Sequence, residues 1–311
     1  MLSVILLSYY SSNRLQDVYQ NLNDELTKGN IPYELIIIDD GSKDDSYKIA
    51  LSLEDKYENV RAYQLSKNYT SNYAIFAGLS LSKGACVTAI PDDDQQPYHT
   101  LVEMYDLWNK GEKIIIPHRK NRDDGLLNDL FSNSYYKFMS KFSEIQFPRG
   151  GADLFFIDRE VVDIINAFIH PKNTAIVPEI LRLGFCPYFL PYERPKSKYK
   201  SRWSFKKKYK LFLDTFISSS AFPIKLITYL GVFFSLLSFI LILFYVYIKT
   251  LGNEQFWGVT IPGWTSTILF ISFFSGLILF SLGIIAEYIW RIHEEVKDRP
   301  GYIIKKKDHK N

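Results

Sequence analysis

Two charge-free apolar runs near the C-terminus constrain this chain more than any other feature. Residues 226–248, "LITYLGVFFSLLSFILILFYVYI", and 264–286, "WTSTILFISFFSGLILFSLGIIA", contain no Asp, Glu, Lys or Arg. At helical rise each is long enough to cross the roughly 30 Å hydrocarbon core of a bilayer. A soluble core can enclose one such helix but hardly two in tandem, so the sequence predicts two transmembrane helices. The flanks orient them. The stretch "RPKSKYKSRWSFKKKYK" (194–210) is basic and has no acid, and the tail "RIHEEVKDRPGYIIKKKDHK" (291–310) is Lys/Arg-rich. The connecting loop has only Lys249 and Glu254, with Trp257 and Trp264 at the interface. Both termini are therefore expected in the cytoplasm.

The other end of the chain has no secretory signature. "MLSVILLSYYSSN" lacks a basic flank and turns polar after a short apolar run, so it is read as a first buried strand. Cys86 and Cys186 stand far apart with no C-x-x-C or histidine partner, which excludes a disulfide framework and a structural zinc. Both are expected to be small core residues. The net charge of +3 gives no reason to expect nucleic acid as a partner.

Ahead of the apolar runs, β-branched segments alternate with amphipathic ones. Candidate strands are 3–8, 33–39, 60–66, 85–90 and 113–118, and candidate helices are 12–27, 44–57, 71–82 and 98–109. Such alternation predicts an α/β domain with a largely parallel sheet covered on both faces. Ligands of such sheets bind at the carboxyl ends of the strands, and acids gather there. "DDGSKDD" (39–45) follows the second strand, and Asp92, Asp93 and Asp94 follow the fourth. Alone, the first is a strand–helix turn with Ser42 as a cap. Three adjacent carboxylates need either solvent or a cation. An Asp-x-Asp pair on extended backbone points both carboxylates the same way and suits a hard divalent ion shared with substrate phosphates. No glycine-rich phosphate loop is present, which argues against a dehydrogenase or a P-loop NTPase.

The segments "IIIDDGSKDDS", "PDDDQQP", "GADLFFIDREVV", "RPKSKYKSRWSF" and above all "GIIAEYIWRIHEEVKDRPGYII" resemble the polyprenyl-phosphate glycosyltransferases. These are inverting GT-A enzymes that include dolichyl-phosphate mannose synthases, and the resemblance spans essentially the whole chain. It implies a GT-A (Rossmann-like) nucleotide-sugar transferase domain followed by two transmembrane helices. The parts are a cytoplasmic domain at 1–200, an amphipathic juxtamembrane helix at 201–221, a transmembrane hairpin at 222–290 and a basic tail at 291–311. The implied reaction moves a sugar from a nucleotide donor, a UDP-hexose, to undecaprenyl phosphate for cell-envelope glycan modification. The implied place is the bacterial inner membrane.

The resemblance also implies roles residue by residue. The family's Asp-Ala-Asp-Leu-Gln motif falls on Asp92, Asp94 and Gln96 as ligands of Mg2+ or Mn2+, with Asp93 in the alanine position. Asp39, Asp40, Lys67, Asp92 and Asp93 are the implied nucleotide-sugar contacts. Asp153 is the candidate catalytic carboxylate, although an ionised polyprenyl phosphate hardly needs a general base. Asp158 and Arg159 read as the start of a helix. Arg119, Arg194, Lys198 and Arg202 are the candidates for the lipid phosphate, and Lys206 to Lys208 for general attraction to the membrane. Glu287 and Arg291 are expected to pair at i, i+4. A homo-oligomer and a partner flippase are compatible with this reading.

Some positions depart from the pattern. The first strand ends in Leu7, Ser8, Tyr9, Tyr10, Ser11 instead of Pro-x-Tyr-Asn-Glu, and Ala152 to Phe155 lacks an expected arginine. Two other readings are a processive polysaccharide synthase, for which "YKSRW" (199–203) is an incomplete signature, and a catalytically inactive scaffold that binds nucleotide sugar and lipid.

Overall fold

A computed structural model of the protein describes residues 1–93, 96–120, 154–172, 174–193, 227–234, 236–237, 239–240, 243, 263–297 and 299–306. They divide into two units, Met1–Ser219 with Pro300–Asn311, and Ser220–Arg299. Within the stretch expected as a tail, the described residues 300–306 belong to the first unit.

The first unit begins with β1 (Leu2–Ser8), α1 (Leu15–Lys28), β2 (Tyr33–Asp39), α2 (Ser46–Lys56) and β3 (Val60–Gln64). It continues with α3 (Ser71–Leu81), β4 (Cys86–Pro91), α4 (His99–Asn109) and β5 (Ile114–Arg119). Then come β6 (Phe156–Asp158), α5 (Arg159–Phe168), α6 (Ile176–Arg182) and β7 (Tyr188–Tyr192). The strands form one seven-stranded sheet in the order β3-β2-β1-β4-β6-β5-β7.

The sequence explains why the centre of this sheet is buried on both faces. β1 and β2 are almost unbroken Val, Ile and Leu, as strands covered by helices on both sides must be. Their side chains alternate between two cores. Val4, Leu6, Leu35 and Ile37 join the core that contains Leu15, Val18, Leu22 and Leu26 of α1. Ile5, Ile36 and Ile38 join the other, with residues of α3, α5 and α6. The α1 residues recur every three or four positions, which is the spacing of one buried helical face.

The sheet is mixed, and this qualifies the expected parallel arrangement. β6 runs antiparallel to both β4 and β5, while the other pairings are parallel. Only three residues long, β6 is fixed largely by what surrounds it. Thr88 Oγ1 donates to Phe155 O at 2.7 Å, and Trp108 Nε1 donates to Asp158 at 2.7 Å. Asp158 caps α5 by accepting the Glu160 N–H at 2.9 Å, so the expected helix start at Asp158 and Arg159 is where α5 begins.

Of the two cysteines, Cys86 is buried, and burial pushes its thiol up to about 12. Cys186 is exposed, which corrects the expectation that both lie in the core. It falls in the connection between α6 and the edge strand β7.

In the second unit, α7 (Gly263–Val296) has 34 residues. Its segment Phe273–His293 is the one helix among the described residues long and apolar enough to cross a membrane. Within the first expected span, 226–248, the described residues are helical, and Phe234 lies 5.4 Å from Phe273 and 5.6 Å from Phe274, ring centre to ring centre. The full length of that span lies outside the described residues. The expected Glu287–Arg291 pair is present at 3.2 Å.

Candidate active site

Strand register assembles the polar residues in one row. Asp39 is level with Gln64 on one side and Ser8 on the other, and Leu7 is level with Pro91, which precedes Asp92. Gln64, Asp39, Ser8 and Asp92 therefore cross the carboxyl edge over three strand spacings, about 14 Å. This is where an open parallel sheet receives ligands.

Asp39 is 0% exposed. Its carboxylate accepts the Ser42 N–H at 2.9 Å, the Ser42 hydroxyl at 2.5 Å and Gln64 Nε2 at 2.9 Å. The Ser42 oxygen in turn accepts the Tyr10 N–H at 3.0 Å. Asp39 thus ties the loops after β1 and β2 to β3. Asp40, also buried, accepts the backbone N–H groups of Tyr69 at 2.7 Å and Thr70 at 2.9 Å, fixing the loop after β3. Gly41 completes the turn. Its φ is +69°, and a Cβ there would come within 2.5 Å of the Lys67 carbonyl carbon, so only glycine fits. Lys67 itself is exposed, with its ammonium 4.9 Å from the centre of the Tyr69 ring.

At the end of β4, Asp92 is 4% exposed and one of its oxygens meets two donors. Arg14 bonds it at 2.7 Å and the Ser11 hydroxyl donates to it as well. Ser11 is itself held in place, because its N–H donates to Ser46 Oγ at 2.7 Å and its oxygen accepts the Tyr9 N–H at 3.0 Å. Asp93 follows half-buried. Gln96 is buried, and neither end of its amide has a hydrogen-bond partner among the described residues. An unsatisfied buried amide costs about 1–3 kcal/mol, and such a group calls for an explanation, a bound ion among them. Asp92 and Gln96, the described members of the expected ligand set, are therefore compatible with a divalent ion between them. Among the described residues no group of three His, Cys, Asp or Glu forms a metal site, but Asp94 is outside them.

The structure thus gathers Asp39, Asp40, Asp92, Asp93 and Gln96 at one edge, with Lys67 nearby in sequence to the Asp40-bound loop. Arg119 ends β5, farther along the same sheet. Asp94, Asp153, Arg194, Lys198 and Arg202 lie outside the described residues. Sequence reasoning missed Ser11, Arg14 and Gln64. The altered end of the first strand is the segment that supplies Ser11.

The profile of "Glycosyl transferase family 2" matches residues 3–184, more than half the chain. The chain belongs to glycosyl transferase family 2. An uncharacterized glycosyltransferase from Synechocystis is 31% identical over 306 residues, covering 97% of this chain and 94% of that protein. A prophage-derived bactoprenol glucosyl transferase from Shigella flexneri is 31% identical over 288 residues, covering 90% of each. Mannosyl-3-phosphoglycerate synthase from Rubrobacter xylanophilus superposes with a TM-score of 0.48 at 14% identity, over 69% of this chain and 71% of that one. The protein is a glycosyltransferase with an α/β domain.

Proposed function

We propose that this family member transfers a hexose from a UDP-sugar to undecaprenyl phosphate with inversion, giving a polyprenyl monophosphate sugar. One observation carries the reading. The likeness to the Shigella bactoprenol glucosyl transferase covers 90% of both chains, so it reaches well past residue 184 into the apolar C-terminal third.

The chemistry follows from the polar row. The lipid phosphate oxygen attacks the anomeric carbon as the bond to the nucleoside diphosphate breaks, and the electron pair departs with the diphosphate. The attacking oxygen is already ionised at neutral pH, so Asp153 orients acceptor or sugar and need not remove a proton. A divalent ion, Mg2+ or Mn2+, held by Asp92, Asp94 and Gln96 would supply Lewis-acid neutralisation of the departing diphosphate. Arg14 and Ser11 hold Asp92 in position for that task before substrate arrives, so little reorganisation is needed during reaction. Asp40 and Lys67 border the nucleotide, and Asp39 fixes the turn that carries them. Arg119, Arg194, Lys198 and Arg202 receive the lipid phosphate.

In this account the helix Phe273–His293 anchors the enzyme in the bacterial inner membrane, with the catalytic domain in the cytoplasm. A flippase partner then carries the product across, and the enzyme can work as a homo-oligomer. The test is transfer of label from a panel of nucleotide sugars into undecaprenyl phosphate by purified full-length protein with Mn2+, beside Asp94→Ala. Metal-dependent transfer from one donor, lost in the variant, supports the proposal. Nucleotide binding without transfer from any donor would leave a scaffold in its place.

A further inference from the structure

The segment "GIIAEYIWRIHEEVKDRPGYII" carries the most specific part of the resemblance, yet the reaction just described gives its end, "RPGYII", no task. In the structure it returns to the catalytic unit. Only residues 297–299 separate the end of α7 from Pro300, where the first unit resumes. Ile304 then forms an antiparallel bridge with Leu65, just beyond the end of the edge strand β3. Ser66 N donates to Ile303 O, and Lys305 N donates to Gln64 O, both at 2.8 Å. The Tyr302 hydroxyl donates to Ser80 Oγ at 3.1 Å, while Tyr302 and Ile304 both pack against the core shared by α3 and α5. Gly301 passes so close to Pro171 that a Cβ would lie 2.5 Å from the ring.

This seat adjoins the polar row. Lys305 Nζ donates to Gln64 Oε1 at 2.8 Å, and the other end of that amide bonds the fully buried Asp39. Ser66, pinned by Ile303, precedes Lys67, whose backbone lies against Gly41. The next residues, Tyr69 and Thr70, are those whose N–H groups Asp40 holds. The loop after β3 is therefore fixed from two sides, by Asp40 within the sheet and by the returning chain at its edge. Simply covering the exposed edge of β3 would not require the contact through Gln64 to Asp39.

We propose that residues 301–305 form a strap that positions the donor-binding edge of the sheet, with Ile304 and Lys305 as positioning residues that act through Leu65, Ser66 and Gln64. The inference rests on the proposed function in taking that edge as the nucleotide-sugar site. It makes the chain that follows the membrane helix part of donor binding, while the acceptor contacts lie elsewhere.

The test uses the full-length protein with Ile304→Asp, which puts a charge into the apolar seat, and Ile304→Val, which keeps the contact. Three quantities are read: UDP affinity by calorimetry, KM for donor and for undecaprenyl phosphate, and amide exchange over residues 65–70. The strap predicts that Ile304→Asp weakens UDP binding and raises donor KM by about tenfold, the size of one lost interaction. Acceptor KM should stay within about twofold, exchange over 65–70 should accelerate, and Ile304→Val should behave as wild type. Faster exchange with unchanged UDP affinity would reduce the strap to an edge cover and overturn the proposal. Equal rises in donor and acceptor KM would overturn it too. A wild-type protein that binds no nucleoside diphosphate would overturn the reading of the site, and the proposal with it. If Ile304→Asp does not fold, Lys305→Pro removes the N–H bonded to Gln64 O and the ammonium together, and it should give the same donor-selective loss.

Discussion

Replacing Arg14 with methionine leaves the Asp92 carboxylate, 4% exposed, with the Ser11 hydroxyl but without the guanidinium 2.7 Å away. Breaking one side of a buried ion pair costs about 3–5 kcal/mol, because the remaining charge loses its counter-ion. The pair lies at the end of the sheet, so the lower end of that range applies. In a domain of this size about 3 kcal/mol lowers Tm by roughly 6–12 °C. The assay is thermal unfolding of the full-length protein, EDTA-treated, for Arg14→Met, Asp92→Asn and the double variant. The double variant should be more stable than the sum of the single losses predicts, by about 2 kcal/mol of coupling. Mn2+ should then recover part of the Arg14→Met loss, since an ion at 100 times its Kd adds about 2.7 kcal/mol. Additivity within about 0.5 kcal/mol would refute the reasoning, because it would mean that Arg14 and Asp92 do not depend on one another.

Other residues give independent checks. Gln96→Leu removes a buried amide with no partner among the described residues, so it should stabilise the metal-free protein by about 1 kcal/mol while weakening Mn2+ binding in calorimetry. Burial acts to raise the Glu34 carboxyl, but bonds from Ser3, the Lys83 N–H and Arg61 outweigh it and hold it below the ordinary 4.5. A group depressed in the folded state contributes stability that is fully present above its unfolded value and lost as pH falls through the folded one. Wild type should therefore lose stability below pH 4.5 relative to Glu34→Gln, as followed by urea midpoints from pH 3 to 7. Maleimide should label Cys186 in the native protein and reach Cys86 only after unfolding, which mass spectrometry of the two peptides reads directly.

Much of the fold was legible because its centre is built by local rules. The run Tyr33–Asp39 is a strand from end to end, since Val/Ile-rich segments bounded by turns leave few alternatives. β6 was not legible. Its three residues sit inside a run that reads as the approach to a helix, and only pairing with β4 and β5 makes them a strand. β7 contains Pro191, which usually argues against a strand but is tolerated here because β7 is the last in the sheet order.

The site divided in the same way. Asp39, Asp40 and Asp92 were visible because acids at strand ends have little use in packing, and Gln96 only through the family resemblance. Their partners were not. Arg14 and Asp92 are 78 positions apart, and no spacing rule connects them. Lys305 and Gln64 are 241 apart. Asp39 reads from the sequence as a nucleotide-sugar contact, and the sequence gives no sign of the partners that hold it. Its bonds to Ser42 and Gln64 are seen only in the folded arrangement.

The central claim concerns the bond that is made, so the most direct measurement is the chemical identity of the lipid product. Full-length protein would be given labelled UDP-glucose, undecaprenyl phosphate and Mn2+, and the organic extract analysed by mass spectrometry and by NMR of the anomeric proton. The account predicts one sugar and one phosphorus per lipid, with the anomeric configuration opposite to that of the donor. A diphosphate-linked product, a retained configuration or a growing chain of sugars on one lipid would contradict it.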